Sequence, residues 1–205
     1  MFYDILDKKR MAILPLLKEF KSDFYLAGGT ALALQLGHRD SIDFDFFSMK
    51  NIDTEKLFER IKTIFVGYEV KKIQEEKNTL TVIIDGDIKI SFFTYQYQLL
   101  NKLVDEENLK LASIEDIACM KLSAIVSRSL EKDYIDLYFI LQNSSLDNLL
   151  KLAQKKFPSL DTNLIIKSLT YFDDIVEEAI NFKNEQKVSL EEVKMFLIKI
   201  VKDYL

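Results

Sequence analysis

A glycine turn followed by a helical run and an alternating strand constrains this chain more than any other feature. Residues 25–48 read YLAGGTALALQLGHRDSIDFDFFS, with Gly28 and Gly29 between a short apolar run and a helical run over residues 31–36. Glycines let the backbone turn tightly and approach a ligand closely. We expect Thr30 to cap the helix with its hydroxyl, beside free N–H groups that attract anions. Gly28, Gly29 and Thr30 therefore form a predicted phosphate site.

Polar residues alternate with apolar ones in the strand that follows. Ser41, Asp43 and Asp45 alternate with isoleucine and phenylalanine, so the three polar side chains share one predicted strand face. Strand geometry separates the two carboxylates by roughly 7 Å. Mg²⁺ prefers carboxylate oxygens that it shares with substrate phosphates, and Mn²⁺ is an alternative ion. We predict Asp43 and Asp45 as metal ligands, with Ser41 beside the nucleotide.

Each of these two features is also typical of something simpler. A glycine pair before a helix is often an ordinary turn, and alternating aspartates are often a solvated strand face. The prediction of a nucleotide and metal site rests on their succession within one strand–helix–strand unit, which returns the carboxylates toward the glycine turn.

The run GGTALALQLGHRDSIDFDFF resembles the first motif of the AbiEii-type nucleotidyltransferases, down to the order HR-x-S-x-D-x-D. This MenT-like branch of the polymerase beta nucleotidyltransferase superfamily includes toxins of bacterial toxin–antitoxin and phage-defence systems. The resemblance implies a polymerase beta-like catalytic domain. It implies a role for His38 and Arg39 in binding substrate or in shaping the site. The alternative is that both hold the turn, His38 through a backbone carbonyl and Arg39 by pairing with Asp40 or Asp43.

The second half carries further candidate residues on two predicted helices. Lys121 and Arg128 fall on one face of a helix that begins after Ser113, so the Lys121 ammonium can reach a triphosphate or lie along the core edge. Asp136 stands in the apolar run YIDLYF, where an unpaired buried carboxylate would be costly. Asp133 lies one turn earlier, where support at the helix start suffices. A salt bridge to a nearby cation is the alternative for Asp136.

The segment DIACMKLSAIVSRSLEKDYIDLY resembles the later motifs of the same family, K-L-x-A followed by R-x-x-x-[KR]-D-x-x-D-L. The resemblance makes Lys121 the phosphate contact and Asp136 a catalytic or site-organising carboxylate. One departure stands out, because the strand expected to carry a third carboxylate offers Lys89 and Ser91 instead. We therefore predict that Asp136 faces the cleft and supplies the missing carboxylate, or that the site works with one metal.

Composition limits the classes of protein to which this chain can belong. The chain has 205 residues, 48% hydrophobic content and a net charge of −5, so no global field attracts nucleic acid and an RNA partner needs a local basic patch. The single cysteine, Cys119, allows no internal disulfide. Charged residues interrupt the amphipathic N-terminus, and no apolar run is long enough for a membrane span. These features favour an untargeted cytoplasmic protein.

Periodicity predicts an α+β fold: a mixed α/β sheet of about five strands over residues 1–98, then a helical bundle over residues 99–205, with a cleft between them. The resemblance implies that residues 1–98 are the nucleotidyltransferase catalytic domain. The predicted strands are 24–27, 41–46, 68–73, 79–84 and 87–93. The predicted helices are 4–20, 31–36, 54–65, 113–127, 133–142, 146–155, 163–169, 172–182 and 189–204. Strand signals end near residue 98.

The leading hypothesis is a Mg²⁺-dependent enzyme that transfers a nucleoside monophosphate from an NTP to an acceptor and releases pyrophosphate. The resemblance implies a toxin that modifies RNA, with the tRNA 3′ end as the favoured acceptor and an antitoxin protein as partner. Two alternatives remain open. One is nucleotidylation of a small molecule such as an aminoglycoside, and the other is a degenerate fold that binds NTP or a partner without catalysis.

Overall fold

The computed structural model describes residues 1–205, which form one mixed sheet with helices on both faces. The strands are β1 (Tyr25–Ala27), β2 (Phe44–Ser48), β3 (Val70–Glu76), β4 (Thr79–Ile84), β5 (Ile88–Thr94), β6 (Val104–Asp105) and β7 (Lys110–Leu111). The helices are α1 (Lys8–Leu17), α2 (Gly28–Leu36), α3 (Thr54–Ile64), α4 (Ile114–Ser127), α5 (Glu131–Leu141), α6 (Leu146–Lys156), α7 (Thr162–Thr170) and α8 (Leu190–Tyr204). Short 3₁₀ turns, Tyr3–Ile5 and Lys18–Phe20, flank α1.

The sheet has seven strands in the order β3-β4-β5-β2-β1-β7-β6. Strand β2 pairs parallel with β5 and antiparallel with β1, and β1 pairs parallel with β7. The mixed sheet is as predicted, but five strands is an undercount. The two missed strands have two residues each, too short to show the alternation that predicts a strand.

Strands β6 and β7 come from the half of the chain that was predicted to be helical. Backbone bonds join β7 to β1, and the Ala112 N–H donates to the Leu26 carbonyl at 2.9 Å. The sheet therefore continues across residue 98, the position predicted to separate the two domains.

Most of the predicted elements lie close to their observed bounds. Strand β4 matches its prediction, α3 ends one residue early, and α8 begins with the predicted capping box between Ser189 and Glu192. The expected tight hairpin between β4 and β5 turns at Asp85 and Gly86, which both have positive φ. The single helix predicted over residues 4–20 is instead α1 with a 3₁₀ turn at each end.

The helix predicted over residues 172–182 is wrong. This segment has helical apolar spacing but runs as irregular extended chain along the loops that precede β2 and α5. The Val176 N–H donates to the Ser129 carbonyl at 2.8 Å, and the Asp40 N–H donates to the Asn181 carbonyl at 2.8 Å. Bonds to distant backbone groups thus replace those that a helix would make within the segment.

The two faces of the sheet differ in chemistry. One face buries Phe44, Phe46 and Phe92, and Phe20 packs on them with ring centroids 5.0 Å from Phe92 and 5.7 Å from Phe46. The opposite face carries polar residues of β2 and β5 and looks toward α4 across a cleft. No helix combines the length and the apolar content needed to cross a membrane.

Candidate active site

The two aspartates of the alternating stretch line a cleft of about 880 Å³ between the sheet and α4. Asp45 lies on β2, opposite Ser91 of β5, and Asp43 lies one residue before the strand begins. Ser41 also lines the cleft. The strand is shorter than predicted, because the side chain of Ile42 is 54% exposed and the alternation in burial begins at Phe44. The three polar residues nevertheless face the same space.

The charge of Asp45 is unfavourable in the folded protein. Burial raises the pKa of Asp45, and the negative charge of Asp43 raises it further, while Lys89, Lys121 and the Ser91 hydroxyl act in the opposite direction. Lys89 Nζ lies 3.4 Å from Asp43 Oδ2. A cation between the two carboxylates would therefore relieve a repulsion that the protein's own side chains only partly offset.

The glycine turn brings the start of α2 against Asp45. Helix α2 begins at Gly28, and Ala27 is its N-cap residue, with no side-chain capping bond. Gly28 has a φ of 73°, and a Cβ there would lie 3.3 Å from Asp45 Oδ2. A Cβ on Gly29 would lie 2.8 Å from Arg39 Nη2. Both glycines line the cleft, so the N–H groups and positive dipole of the first turn are available to an anion.

Thr30 has a different role from the predicted one. Its side chain is 2% exposed, and its hydroxyl contacts the Asp43 carbonyl and lies 2.8 Å from Ser41 Oγ. The hydroxyl therefore ties α2 to the segment that carries the aspartates. It neither caps the helix, whose N-cap residue is Ala27, nor lines the cleft.

Asp136 lies in the interior beside the cleft, at the centre of a charge network. Its carboxylate is fully buried and accepts hydrogen bonds from Arg39 at 2.7 and 2.8 Å, and it lies 2.9 Å from His38 Nε2. Lys121 Nζ lies 2.6 Å from Asp136 Oδ2. Burial alone would raise the pKa of Asp136, but Arg39, Lys121 and His38 together hold it well below its usual range.

This geometry corrects one expectation and refines another. Asp136 is fully buried and does not line the cleft as predicted; its partners Arg39 and Lys121 line the cleft instead. Arg39 contacts Asp40, as expected for a residue that holds the turn, but through Nη1 and the Asp40 backbone carbonyl at 2.9 Å, while Nε and Nη2 donate to Asp136. Of the two roles that the resemblance allows Asp136, the contacts match that of a site-organising carboxylate.

Asp133 forms the second half of the same network. It is fully buried and lies 2.6 Å from Lys121 Nζ, and it accepts a hydrogen bond from Arg128 Nε at 2.9 Å. The side chain of Arg128 is 54% exposed and lines the cleft. Lys121 is thus neither solvated nor extended along the core edge; two buried carboxylates hold its ammonium at the cleft wall.

His38 is the only histidine of the chain, and its ring is fully buried. Burial lowers the pKa of His38, and the charges of Arg39 and Lys121 add to this effect, whereas the bond to Asp136 opposes it. Nε2 meets Asp136, and Nδ1 has no hydrogen-bond partner. The predicted bond to a backbone carbonyl is therefore not observed, and His38 orients Asp136.

The donors around Asp43 and Asp45 fit a magnesium ion that shares its ligands with a substrate. No group of three or more His, Cys, Asp or Glu side chains is placed to hold a metal, and β5 offers Lys89 and Ser91 to the cleft. Two carboxylates with substrate phosphates and waters match the ligand preference of Mg²⁺. Asp43 and Asp45 line the same cleft, and the raised pKa of Asp45 beside Asp43 agrees with this fit.

Sequence reasoning missed two groups of residues that line the cleft. One is the extended segment that includes Glu178 and Asn181. The other is aromatic and includes Phe47, Phe93 and Tyr95. Phe47 could have been found, because it continues the period of two from Asp43 and Asp45.

Comparison with known proteins assigns the chain to a family. The family model described as "Nucleotidyl transferase AbiEii toxin, Type IV TA system" matches residues 16–199. An uncharacterized protein of Aquifex aeolicus (strain VF5) is 40% identical over 190 residues, which cover 90% of this chain and 89% of that protein.

Two solved structures share the fold at low sequence identity. JHP933 from Helicobacter pylori is 20% identical with a TM-score of 0.60, and the match covers 95% of this chain and 88% of JHP933. MenT4, a nucleotidyltransferase toxin from Mycobacterium tuberculosis, is 14% identical with a TM-score of 0.62, covering 94% of this chain and 82% of MenT4. With a family match that spans most of its length, the chain belongs to the nucleotidyl transferase AbiEii toxin family.

Proposed function

We propose that this protein transfers a nucleoside monophosphate from an NTP to the 3′ end of an RNA, with tRNA as the favoured acceptor, and releases pyrophosphate. The observation that carries the proposal is the meeting of three groups around one cleft. These are the start of α2 at Gly28 and Gly29, the carboxylates of Asp43 and Asp45, and the ammonium of Lys121. A triphosphate needs an anion site, a metal site and a counter-charge, and these groups supply all three.

Asp43 and Asp45 would hold Mg²⁺, or Mn²⁺ as an alternative. Such an ion neutralises charge on the phosphates and helps to orient the acceptor hydroxyl against them. The N–H groups at the start of α2 bind phosphate oxygens, and Ser41 lies beside them at the cleft wall. Substrate is thus positioned mainly by backbone donors and fixed charges, as in phosphoryl transfer generally.

Lys121 and Arg128 supply positive charge where it develops on the leaving pyrophosphate. Asp133 and Asp136 act through them as positioning residues, because they fix the ammonium at the cleft wall from the buried side. His38 and Arg39 in turn hold Asp136. A preorganised cation of this kind needs no rearrangement during the reaction.

The acceptor and the biological role are part of the same proposal. Five cationic and four acidic side chains line the cleft, so its lining is less acidic than the chain as a whole, which carries a charge of −5. This balance favours a polyanionic acceptor over a cationic aminoglycoside. Membership of the toxin family supports an antitoxin protein as partner and a cytoplasmic site of action.

A catalytically degenerate binding module is the second candidate, and one contact favours it. Lys89 Nζ lies 3.4 Å from Asp43, and no carboxylate on β5 joins the pair of aspartates. A lysine in that position can substitute for part of the charge that a metal supplies. In this case the protein would bind NTP without turnover.

The test is incubation of the purified protein with each labelled NTP, Mg²⁺ and total RNA, followed by separation of the RNA on a gel. We expect label from one or more NTPs to enter RNA with wild type, and no transfer with Asp43→Asn or Asp45→Asn. NTP binding without transfer under any condition would favour the degenerate module, and transfer retained by both variants would exclude the two-aspartate site.

Lys121→Ala tests the cation in the same assay, with Lys132→Ala as its matched control. Lys132 also lines the cleft but pairs with Glu178 at 3.1 Å and is partly exposed. We expect a loss of turnover of at least about 100-fold for Lys121→Ala and a small loss for Lys132→Ala. Because Lys121 also bridges two buried aspartates, Lys121→Ala should lower the free energy of unfolding by about 3 kcal/mol as well. Turnover is therefore measured at a temperature where the variant is folded.

A further inference from the structure

Four aromatic side chains form a continuous row that begins in the cleft and leads out of it, which we term the aromatic row: Phe93, Phe47, Tyr95 and Tyr97. Phe47 of β2 and Phe93 of β5 are paired in register, with ring centroids 5.4 Å apart. The ring of Tyr95 lies 5.4 Å from Phe47, and the ring of Tyr97 lies 4.9 Å from Tyr95. The rings therefore follow one another at nearly constant spacing.

The row begins next to the carboxylates and ends in solvent. Phe47 lies two residues beyond Asp45 on the same strand, so both side chains leave the same face about 7 Å apart. Phe93 stands in the same relation to Ser91 on β5. Phe47, Phe93 and Tyr95 line the same cleft as the aspartates, whereas Tyr97 is 45% exposed.

The need for a core does not account for the whole row. Phe47 and Tyr95 pack against the core, but Phe93 is not among the partly buried side chains that do so. Tyr97 rests one edge on buried Phe157, at a centroid distance of 4.8 Å, and leaves nearly half of its surface in water. A row of partly buried aromatic rings that lines a cleft and ends in an exposed ring is typical of a binding site.

The number of rings in the row favours a ligand that has several bases. An NTP offers one base, whereas the row presents four rings at spacings of 4.9–5.4 Å. Unpaired nucleotides at the end of an RNA offer several bases in succession, and such bases stack on aromatic side chains. Their phosphates would meet Lys89 and Arg128 at the inner part of the cleft.

We propose that the aromatic row binds the unpaired 3′-terminal nucleotides of the acceptor RNA and leads the terminal hydroxyl to Asp43 and Asp45. The proposal rests on the proposed function, because it takes the acceptor to be RNA. It adds the requirement that the acceptor end be single-stranded over several nucleotides. It also assigns Phe93 and Tyr97 to acceptor recognition.

The test measures binding of a fluorescent RNA duplex with a short 3′ overhang to the full-length protein, without NTP, by anisotropy. A blunt duplex of the same sequence is the second probe. We expect Tyr97→Ala and Phe93→Ala to weaken overhang binding about tenfold each, and Tyr97→Phe to restore it, because stacking needs the ring and not the hydroxyl. Tyr171→Ala is the matched control, since Tyr171 is also 45% exposed but lies outside the row.

The NTP affinity of the same variants distinguishes binding of the acceptor RNA from binding of the NTP base. An unchanged NTP affinity supports acceptor binding, while an equal loss of NTP and RNA affinity would overturn it in favour of a subsite for the NTP base. Equal binding of the overhang and blunt duplexes by wild type, or an unchanged overhang affinity in both alanine variants, would also overturn the proposal. Should Phe93→Ala fail to fold, Phe93→Leu replaces it, because leucine keeps the apolar volume but not the ring.

The binding test of the aromatic row and the transfer test of the proposed function can fail separately. Overhang binding that depends on Tyr97, with no transfer of label, supports the row and contradicts the proposed function. Transfer to RNA that Tyr97→Ala and Phe93→Ala leave unchanged, in rate and in overhang affinity, supports the function and contradicts the row.

Discussion

Asp136 remains charged inside the protein because donors from two distant parts of the chain surround it. His38 and Arg39 precede β2, and Lys121 belongs to α4. A buried carboxylate is stable only when its lone pairs are met by such donors. Asp136 in turn holds Arg39 and Lys121 from the buried side. Both residues therefore present fixed positive charge to the cleft.

The single histidine makes one consequence of this burial measurable. The pKa of His38 is lowered in the folded state, so the unfolded chain takes up a proton first as the pH falls below about 6.5. Stability should therefore be fully present above that pH and be lost as the pH falls toward the lowered pKa. The expected slope is at most about 1.4 kcal/mol per pH unit. Urea unfolding between about pH 5.5 and 8 measures it.

His38→Gln is the control, because an amide can still donate to Asp136 but does not titrate in this range. The slope of the free energy of unfolding against pH above about pH 5.5 should flatten in this variant. A slope identical to that of wild type would contradict the assignment to His38.

The charge of Asp45 affects the pH dependence of stability in the opposite direction to His38. Its raised pKa means that the charged form is less favourable in the folded state than in the unfolded chain. In the absence of metal, Asp45→Asn should raise the free energy of unfolding at pH 7 by on the order of 1 kcal/mol, although the variant is inactive. The gain should shrink as the pH falls through the raised pKa and be lost below about 3, where the wild-type carboxyl is protonated in both states. Thermal unfolding with and without Mg²⁺ measures it.

Asp203→Asn, an exposed change on α8, is the matched control and should leave stability unchanged at each pH. Added Mg²⁺ should raise the melting temperature of wild type more than that of Asp45→Asn. Destabilisation of Asp45→Asn at pH 7 would contradict the proposed repulsion.

The first residue of α2, Gly28, places the start of this helix beside the Asp45 carboxylate. Its start at Gly28 needs a positive φ, and a side chain there would crowd Asp45, with a Cβ 3.3 Å from Asp45 Oδ2. The strand–helix–strand unit thus brings an anion site and a carboxylate within contact distance. The segment over residues 172–182 shows the reverse case, in which helical spacing is overruled by backbone bonds to distant loops.

Gly28→Ala should therefore have two effects. Adopting a φ of 73° should cost the variant about 1–2 kcal/mol of unfolding free energy. The new Cβ against Asp45 should also weaken NTP binding. Gly67→Ala is the matched control, because Gly67 has a φ of 92° but open space around it. Isothermal titration with NTP distinguishes the variants, and equal NTP affinity in both would argue against the role of Gly28 in binding.

We expect the chain to behave as one structural unit, because its two halves complete each other. Strand β7 extends the sheet beside β1, and Asp136 neutralises Arg39 across the boundary at residue 98. Without the second half, Arg39 would be left without its buried partner. The cleft likewise takes one wall from the sheet and the other from α4.

We expect a single cooperative unfolding transition for the full chain and no stable fold for a fragment of residues 1–98. Calorimetry of the full chain and circular dichroism of the fragment measure the two outcomes. Two resolved calorimetric transitions, or a fragment that melts cooperatively, would show that the halves are independent domains.

Local patterns in the sequence were sufficient to predict most elements and several of the residues that meet at the cleft. The period of α3, the alternation of β4 and the capping box of α8 each depend on neighbours within a few residues, so they can be recognised without the fold. The glycine turn and the paired aspartates are local in the same sense, and both line the cleft.

The partners of the charged groups were decided only in the tertiary structure. Arg39 and Asp136 are separated by 97 positions, and no spacing rule connects residues so far apart. Asp136 was expected to face the cleft because a buried aspartate needs a partner; the fold supplies three partners in the interior, so the carboxylate has no reason to reach the cleft. Strands β6 and β7 were likewise invisible locally, since two residues of strand are stable only when a neighbouring strand accepts their hydrogen bonds.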